Sequence, residues 1–441
     1  MSGFTLIKSF IQCRVNEKRS REKILHLQEK KLRKMIKFAY KKSSFYRDFY
    51  SSKGISEKDL NTIKIDELPI VDKDIIMDNF DEVVTKKDIS KQQLMSFLEK
   101  NKDPSKLYLN KYHVVHTSGS SGKIGVFVYS KKDWDSFFPY ITRIFYFKFK
   151  KNKSAFFGAA DGHFLGVSFT AWLGIGLSRF FVDSLILDIT KPLALHVKKL
   201  NAFQPDILGG YFTGLKILAQ EQESGALQIH PDIIVNCGEG IITKDKRYIE
   251  EIFGVSLINL YGLAECAVMG VGKNVYDGIY LMDDLALVEI KKDHALLTNL
   301  FNKTQPLIRY KINDFFEAKP DTCRKLPFTL VGNIVGRSET MLWLENNEGK
   351  MDFIHPIVIA EFYVKGLDKL QLVLKDKKSF DFLAVIPDKD KERVVKKIKE
   401  ELDRILLEKN FTDVQYQVKV VDNLSVDPKT GKFKLIVTNN Q

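Results

Sequence analysis

The chain has 441 residues, 44% hydrophobic and 12% aromatic, which is enough to bury the cores of two or more domains. Its 69 lysines and arginines outnumber 56 aspartates and glutamates, and the net charge of +13 favours acidic ligands. The sequence contains no uncharged apolar run of about 18 residues, no export signal at its start and no metal-ligand or disulfide spacing among its four cysteines, so we expect a cytoplasmic protein.

Residues 1–110 are predicted to be mostly helical, and basic residues are concentrated between positions 18 and 42. Apolar residues recur there near helical spacing, which indicates an amphipathic helix with a solvated basic face. Nucleic acid is not an expected partner. Attachment to an anionic membrane surface stays open as an alternative, through the apolar residues Phe4, Leu6, Ile7, Phe10 and Ile11.

A loop rich in hydroxyls and glycines lies between two short runs, 112–115 and 126–129, that predict a β-hairpin. Glycines let a backbone approach an anion closely, hydroxyls donate hydrogen bonds and a lysine adds charge, so the loop suits phosphate. The spacing of a kinase-type P-loop is absent, and a plain flexible hairpin is the alternative. The candidate phosphate-binding residues are Thr117, Ser118, Gly119, Ser120, Ser121, Gly122 and Lys123.

Residues 111–338 alternate between strand-like and helix-like runs, which predicts a layered α/β domain with a largely parallel sheet. Ligands bind beyond the carboxyl ends of the strands in such sheets. The predicted helices are 134–149, 192–203, 213–224 and 244–253, and the predicted strands are 155–159, 180–187, 206–209, 233–236 and 255–261. Residues 339–441 are predicted to form a smaller α+β lid domain.

Two carboxylates follow strand-like runs in the second half of the chain. Glu265 comes after an extended apolar run and suits magnesium bound to nucleotide phosphates, which needs only one or two protein carboxylates. Asp314 ends the run 307–314 and suits the two hydroxyls of a ribose. Taken singly, each is equally typical of a turn or a surface acid.

The order of these stretches resembles the adenylate-forming superfamily of acyl-CoA synthetases and adenylation domains. The resemblance rests on 117–123, 261–265, 309–314, 336–339 and a late Gly431-Lys432, and it covers nearly the whole chain. The stretches 38–47 and 237–240 resemble the phenylacetate-CoA ligase-like branch in particular.

The resemblance implies a role for each matched residue. Residues 117–123 would hold the β- and γ-phosphates of ATP, Glu265 would hold Mg²⁺, and Lys432 would reach the α-phosphate. The remaining implied positions are Tyr261 against adenine with Gly238, Glu239, Asn259 and Gly262 nearby, Asp314 and Arg337 at the ribose, Glu339 as the hinge, and His163, Phe164, Gly210, Tyr211 and Phe212 at the acid.

The implied reaction is AMP-forming activation of an aromatic or apolar acid, followed by transfer to a thiol, coenzyme A by default. Ala264 stands where the family usually has threonine, and the run 343–350 is longer and more acidic than the family's post-hinge loop. Two alternatives therefore stay open: transfer to a carrier protein, sugar or amine, and a nucleotide-binding scaffold without turnover. The sequence leaves open which acid is used and whether the chain forms a homodimer.

Overall fold

The computed structural model describes residues 3–117, 124–144, 151–175, 178–241, 243–291, 294–312, 314–335, 341–354, 358–359, 362, 364–387, 389–424 and 435–438. Its architecture is α/β, with a large sheet in the first part of the chain and a small α+β unit at the end, as predicted. None of the helices within these ranges combines the length and the apolar character that crossing a bilayer requires.

The first hundred residues are helical, as predicted. Ser20 and Ser43 cap the second and third helices because their side chains accept hydrogen bonds from Lys23 N and Tyr46 N. The helices are α1 (Gly3–Glu17), α2 (Arg21–Lys42), α3 (Ser44–Ser52), α4 (Lys73–Asp78), α5 (Phe80–Val83) and α6 (Lys91–Lys100).

The predicted hairpin is present as β1 (Tyr112–His116) and β2 (Val126–Ser130), which pair antiparallel with Tyr112 opposite Ser130. The helix predicted over 134–149 is shorter. It begins earlier as α7 (Lys131–Phe137) and becomes a 3₁₀ turn over Phe138–Arg143, because Pro139 cannot donate a helical hydrogen bond. Residues 145–149 of that prediction lie outside the described residues.

The large sheet has nine strands within the described part of the chain, in the order β13-β14-β9-β8-β7-β6-β5-β3-β4. Strands β3 to β7 pair in parallel, and β8, β9, β13 and β14 extend the sheet antiparallel. The strands are β3 (Asn152–Gly158), β4 (Val182–Asp188), β5 (Ile207–Gly210), β6 (Ile233–Cys237), β7 (Leu257–Leu263), β8 (Ala267–Gly272), β9 (Ile279–Leu281), β13 (Phe315–Ala318) and β14 (Leu330–Val335).

Helices connect the parallel strands, as their right-handed crossovers require. They are α8 (Leu165–Leu173), α9 (Leu193–Phe203), α10 (Phe212–Glu223) and α11 (Thr243–Phe253). A separate three-stranded sheet is formed by β10 (Ala286–Ile290), β11 (Ala295–Asn299) and β12 (Tyr310–Ile312). A parallel bridge between Val71 and Tyr310 brings the start of α4 to the edge of β12.

The end of the chain begins with a hairpin, β15 (Leu342–Glu345) and β16 (Met351–Ile354). A four-stranded sheet follows with one long helix, α12 (Lys391–Glu408), and its strands are β17 (Lys369–Asp376), β18 (Ser379–Val385), β19 (Gln415–Val420) and β20 (Ile436–Thr438). This unit shares an apolar core with α9 and α10. The boundaries predicted at 110 and 338 stay predictions.

Candidate functional site

Glu265 lies in the tight turn between β7 and β8. A Cβ on Gly262 would lie 2.4 Å from the carbonyl oxygen of Ala267, so the two strands approach too closely for any larger residue there. The Glu265 side chain is 8% exposed, and its carboxylate accepts a 3.2 Å hydrogen bond from the Tyr310 hydroxyl. Asn299 donates a 3.0 Å hydrogen bond to the Glu265 carbonyl oxygen, which secures the turn from β11. The carboxylate is therefore held in one place.

Burial raises the pKa of Glu265 to about 7, because the charged form loses hydration. The Tyr310 hydrogen bond and the positive charge of Lys73 act in the opposite direction, and the negative charge of Asp314 raises the pKa further. A buried carboxylate near a second carboxylate is stabilised in its ionised form by a cation. The donor set therefore fits Mg²⁺, which favours carboxylate, phosphate and water oxygens.

Tyr261 connects β7 to Asp314. Its hydroxyl donates a 2.6 Å hydrogen bond to the Asp314 carboxylate, and its ring packs edge-on against Phe316 with 5.4 Å between ring centroids. Burial and the neighbouring carboxylate raise the pKa of the Tyr261 phenol well above its ordinary value, so the hydroxyl stays a hydrogen-bond donor. Tyr261 and Glu265 from one predicted stretch and Asp314 from another thus lie together at the end of β7.

Lys73 is the fourth residue of this cluster and its third charged one, and no sequence pattern pointed to it. Hydrogen bonds from Val71 N to Arg309 O (3.2 Å) and from Lys311 N to Val71 O (2.8 Å) fix the start of α4 against β12. Burial lowers the pKa of the Lys73 ammonium, whereas Glu265 raises it, so the two charges are near each other. A Cβ on Gly125 would lie 3.2 Å from the Lys73 Cε, which places this lysine beside the glycine-rich loop.

Thr117 closes the base of that loop. Its amide donates to the Gly125 carbonyl oxygen at 2.9 Å, and its Oγ1 accepts from the Gly125 amide at 2.9 Å. The loop therefore begins and ends at a fixed pair of residues next to Lys73. The other predicted loop residues and the later candidates lie outside the described residues: Ser118, Gly119, Ser120, Ser121, Gly122, Lys123, Arg337, Glu339 and Lys432.

Two hydrogen-bonded side-chain amides, Asn236 on β6 and Asn259 on β7, lie beside Tyr261. The Asn236 side-chain amide donates to Asn259 Oδ1 at 2.9 Å and to the Glu239 carbonyl oxygen at 2.8 Å. Asn236 Oδ1 is buried and has no hydrogen-bond partner within the described residues. Gly238 has a φ of +87°, a conformation that favours glycine. These residues form a polar edge suited to a purine, and their adenine contacts stay predictions.

Glu239 has a structural contact that the sequence did not indicate. Its carboxylate accepts a 2.8 Å hydrogen bond from Thr213 N and a 2.7 Å hydrogen bond from Thr213 Oγ1, so it satisfies the first turn of α10. The helix is thereby tied to the segment after β6, and Tyr211 at its N-terminus is tied with it.

The residues predicted for the acid surround the start of α8 and α10. The Tyr211 ring lies against Gly158 and Gly238, each of which would bring a Cβ to 3.2 Å from it. A Cβ on Gly210 would lie 2.6 Å from the Phe157 carbonyl oxygen, so glycine is required by packing there. These glycines leave room beside an aromatic ring at the carboxyl ends of the parallel strands.

Three other predicted acid-site residues are buried. His163 Nε2 lies 3.0 Å from the Asn101 carbonyl oxygen, and burial lowers the pKa of its imidazole. Phe164 packs edge-on against His116 with 4.3 Å between ring centroids, and Phe212 is 1% exposed in the core behind α10. All three have packing roles in the described structure, and their contacts with a substrate stay predictions.

Comparison with known proteins finds relatives along most of the chain, although no family model matches it. The chain is 24% identical over 439 residues to protein CapK of Staphylococcus aureus, covering 94% of this chain and 89% of CapK. It is 21% identical to a phenylacetate-coenzyme A ligase of Aromatoleum evansii, with 96% of each covered. These relatives support the resemblance to the phenylacetate-CoA ligase-like branch of the adenylate-forming superfamily that the sequence motifs indicated.

The fold of this chain is also found in a solved structure. A 2-hydroxyisobutyryl-CoA ligase in complex with 2-HIB-AMP and CoA matches it with a TM-score of 0.60 at 16% identity, covering 96% of this chain and 91% of the ligase. The likeness at this identity concerns the fold. It confirms the predicted α/β class with a smaller α+β unit.

The two sequence features that depart from the pattern of the resembled family have defined positions in the structure. Ala264 is 9% exposed, and its carbonyl oxygen accepts a 2.6 Å hydrogen bond from the buried Tyr129 hydroxyl, so the turn keeps its shape without a threonine. Most of the run 343–350 belongs to the β15–β16 hairpin, whose turn includes Gly349 at φ +75°.

Proposed function

We propose that this chain is an AMP-forming ligase that activates a carboxylic acid with ATP and transfers the acyl group to the thiol of coenzyme A. Glu265, Asp314, Tyr261 and Lys73 converge at the end of β7, and this convergence supports the proposal. A nucleoside triphosphate needs its metal-binding, ribose-binding, base-binding and phosphate-binding groups at one place. The phenylacetate-coenzyme A ligase relatives favour coenzyme A over a carrier protein, sugar or amine as the acceptor.

The first half-reaction joins the acid to the nucleotide. An oxygen of the carboxylate attacks the α-phosphorus in line, a new P–O bond forms, and the bond to the bridging oxygen breaks so that pyrophosphate leaves. Positioning and neutralisation of charge supply the catalysis in such a displacement. Lys73, Lys123 and the hydroxyls of the 117–121 loop contact the phosphates, and Lys432 contacts the α-phosphate.

Glu265 would hold Mg²⁺, which would neutralise charge at the phosphate oxygens. Tyr310 donates a hydrogen bond to Oε1 of Glu265, which fixes the orientation of the carboxylate that would hold the cation. Asp314 and Arg337 receive the ribose, and Tyr261 covers the adenine alongside Asn259, Gly262, Gly238 and Glu239. The Tyr261–Asp314 hydrogen bond aligns the adenine and ribose subsites with each other.

The second half-reaction opens the mixed anhydride. The thiolate sulfur attacks the acyl carbonyl carbon, a C–S bond forms, and the C–O bond to AMP breaks. Glu339 serves as the hinge on which the small C-terminal unit turns between the two steps. The acid is aromatic or apolar, with Tyr211, Phe164 and Gly210 at its site and His163 and Phe212 supporting them.

The test is acid-dependent exchange of pyrophosphate into ATP, screened over aromatic and aliphatic acids, with thioester formation measured in parallel. The proposal predicts exchange with at least one acid and a thioester when coenzyme A is added. Exchange without any thioester would show that the acceptor is a nucleophile other than coenzyme A. Absence of exchange with every acid would favour a nucleotide-binding scaffold without turnover. Glu265→Gln serves as the inactive control.

A further inference from the structure

Two adjacent phenylalanines are exposed at the edge of the large sheet. Phe180 is 62% exposed and Phe181 is 67% exposed, just before the edge strand β4, and Ile175 nearby is 39% exposed. Within the described part of the chain these are the only phenylalanines in the exposed class. Contiguous apolar surface of this kind marks an interaction site more often than chance exposure.

A second exposed apolar group lies on α1. Ile11 is 60% exposed and Val15 is 44% exposed, one helical turn apart, so both lie on the outer side of the helix. The opposite side is anchored, with Cys13 and Asn16 buried. A groove of about 360 Å³ runs beside this helix and is lined by Phe10, Ile11, Arg14, Val15, Lys18 and Thr142.

Ring contacts connect α1 to α8, the helix that precedes Phe180 and Phe181 in the chain. Phe10 on α1 packs against Phe138 with 5.5 Å between ring centroids, and Phe138 packs against Trp172 at 4.7 Å. Trp172 lies near the end of α8, and its carbonyl oxygen accepts a 3.3 Å hydrogen bond from Ile175 N. We call the exposed residues Ile11, Val15, Ile175, Phe180 and Phe181 together the aromatic face.

The charge around the aromatic face is positive. Lys8, Lys18 and Arg179 are exposed, and the Arg179 guanidinium lies 5.1 Å from the centroid of the Phe180 ring. The acids of the same segments are ion-paired: Glu17 binds Arg14 and Arg143, and Asp183 binds Lys151. The groups left to face outward are therefore cationic and apolar.

We propose that the aromatic face attaches this chain to the surface of an anionic phospholipid bilayer. Phenylalanine, isoleucine and valine side chains would enter the boundary between headgroups and acyl chains, while Lys8, Lys18 and Arg179 contact lipid phosphates. A second copy of the chain would present the same positive charge and be repelled, whereas an anionic bilayer complements both the charge and the apolar surface.

The experiment is co-sedimentation of the full chain with vesicles of phosphatidylcholine alone or of phosphatidylcholine with 30% phosphatidylglycerol. We expect binding to the anionic vesicles at low ionic strength, at least about fivefold weaker binding to the neutral vesicles, and loss of binding at about 0.5 M salt. Equal binding to both kinds of vesicle, or binding to neither, would overturn the proposal.

Variants locate the contact. Phe180→Ser with Phe181→Ser should weaken vesicle binding about tenfold, and Ile11→Asp should weaken it comparably. Leu407→Ser is the matched control, because Leu407 is 67% exposed on α12 outside the aromatic face. Unchanged melting temperatures exclude unfolding as the cause. An equal loss of vesicle binding in Leu407→Ser would show that binding is nonspecific and would overturn the proposal. If the aromatic-face variants dissociate a dimer and still bind vesicles, the face serves self-association instead.

Discussion

The Tyr261 hydroxyl donates a 2.6 Å hydrogen bond to the Asp314 carboxylate, and this bond joins two stretches that are 53 residues apart. One residue belongs to β7 of the large sheet and the other follows β12 of the three-stranded sheet. The bond therefore holds the proposed adenine and ribose subsites in register, although each residue alone is unremarkable in the sequence. Its removal tests the geometry of the nucleotide site.

Tyr261→Phe keeps the ring against Phe316 and deletes only the hydroxyl. Hydrogen bonds to charged groups contribute about 1.5–3 kcal/mol, so we expect the KM for ATP to rise about tenfold with a smaller change in kcat. Initial rates of pyrophosphate exchange at varied ATP measure both. Tyr416→Phe removes an equally short hydroxyl–Asp403 bond on α12 and should leave KM unchanged. An unaltered KM in Tyr261→Phe would show that the hydrogen bond to Asp314 does not contribute to ATP binding.

Lys73→Ala tests whether the unpredicted lysine contacts phosphate. Removing one well-aimed contact to the transition state lowers the rate by about a hundredfold, so the exchange rate should fall by that order while the fold survives. Lys73→Arg keeps the charge and should recover part of the rate. Lys111→Ala, which removes a lysine paired on the surface with Asp88, should have little effect. Full activity in Lys73→Ala would make this lysine a structural neighbour of Glu265.

The periodicity of the sequence predicted most of the elements that build the site. The run 255–261 corresponds to β7 (Leu257–Leu263), and Glu265 follows it as expected for a residue at the edge of the sheet. The main local error, the long helix from Trp134, arose because Pro139 ends the α-helical hydrogen bonding. These features depend on local patterns, which a single sequence carries.

The position of Lys73 depends on contacts that no local pattern encodes. It lies near Glu265 only because Val71 bridges Tyr310, and because the Tyr310 hydroxyl reaches the Glu265 carboxylate at 3.2 Å. Similarly, the capping of α10 by Glu239 requires β5 and β6 to lie side by side. Such pairings between distant segments are set by the topology of the sheet.

Tyr46 lies in the stretch 38–47, which resembles the phenylacetate-CoA ligase-like branch, and it connects this stretch to the site. Its buried hydroxyl donates to the Pro306 carbonyl oxygen at 3.1 Å and accepts from Ile308 N at 3.0 Å, so α3 fixes the segment that leads to Tyr310. Tyr46→Phe leaves two buried backbone groups unsatisfied and should lower the free energy of unfolding by about 2–4 kcal/mol. Chemical denaturation measures it, with Tyr40→Phe as a control at a half-buried tyrosine of α2. A change within 0.5 kcal/mol, on the order of an ordinary surface substitution, would contradict this role.

Glu265 should set the acid limb of the pH profile. Because burial raises its pKa to about 7, the carboxylate is protonated and unable to bind a cation at lower pH. We therefore expect kcat/KM for ATP to fall about tenfold per pH unit below 7, since this ratio reports groups of the free enzyme. Raising the Mg²⁺ concentration should shift the limb to lower pH, because the cation competes with the proton. If kcat/KM stays constant between pH 5.5 and 8, roughly the range that spans this pKa, ionisation of Glu265 does not limit activity.

The free energy of unfolding should also depend on the ionisation of Glu265. Activity should rise with pH, whereas this contribution to stability should fall. The folded-state pKa of Glu265 lies above the ordinary glutamate pKa of 4.5, so burial of the charge destabilises the fold progressively as pH rises from about 4.5 to 7 and fully above that. Glu265→Gln removes this charge while Oε1 still accepts from Tyr310. In the metal-free chain it should raise the free energy of unfolding at pH 8 by on the order of 2–3 kcal/mol and by little at pH 4.5. Loss of exchange activity with a gain in stability at pH 8 is the pattern of a carboxylate kept for function, whereas a loss of both would show that Glu265 serves the fold.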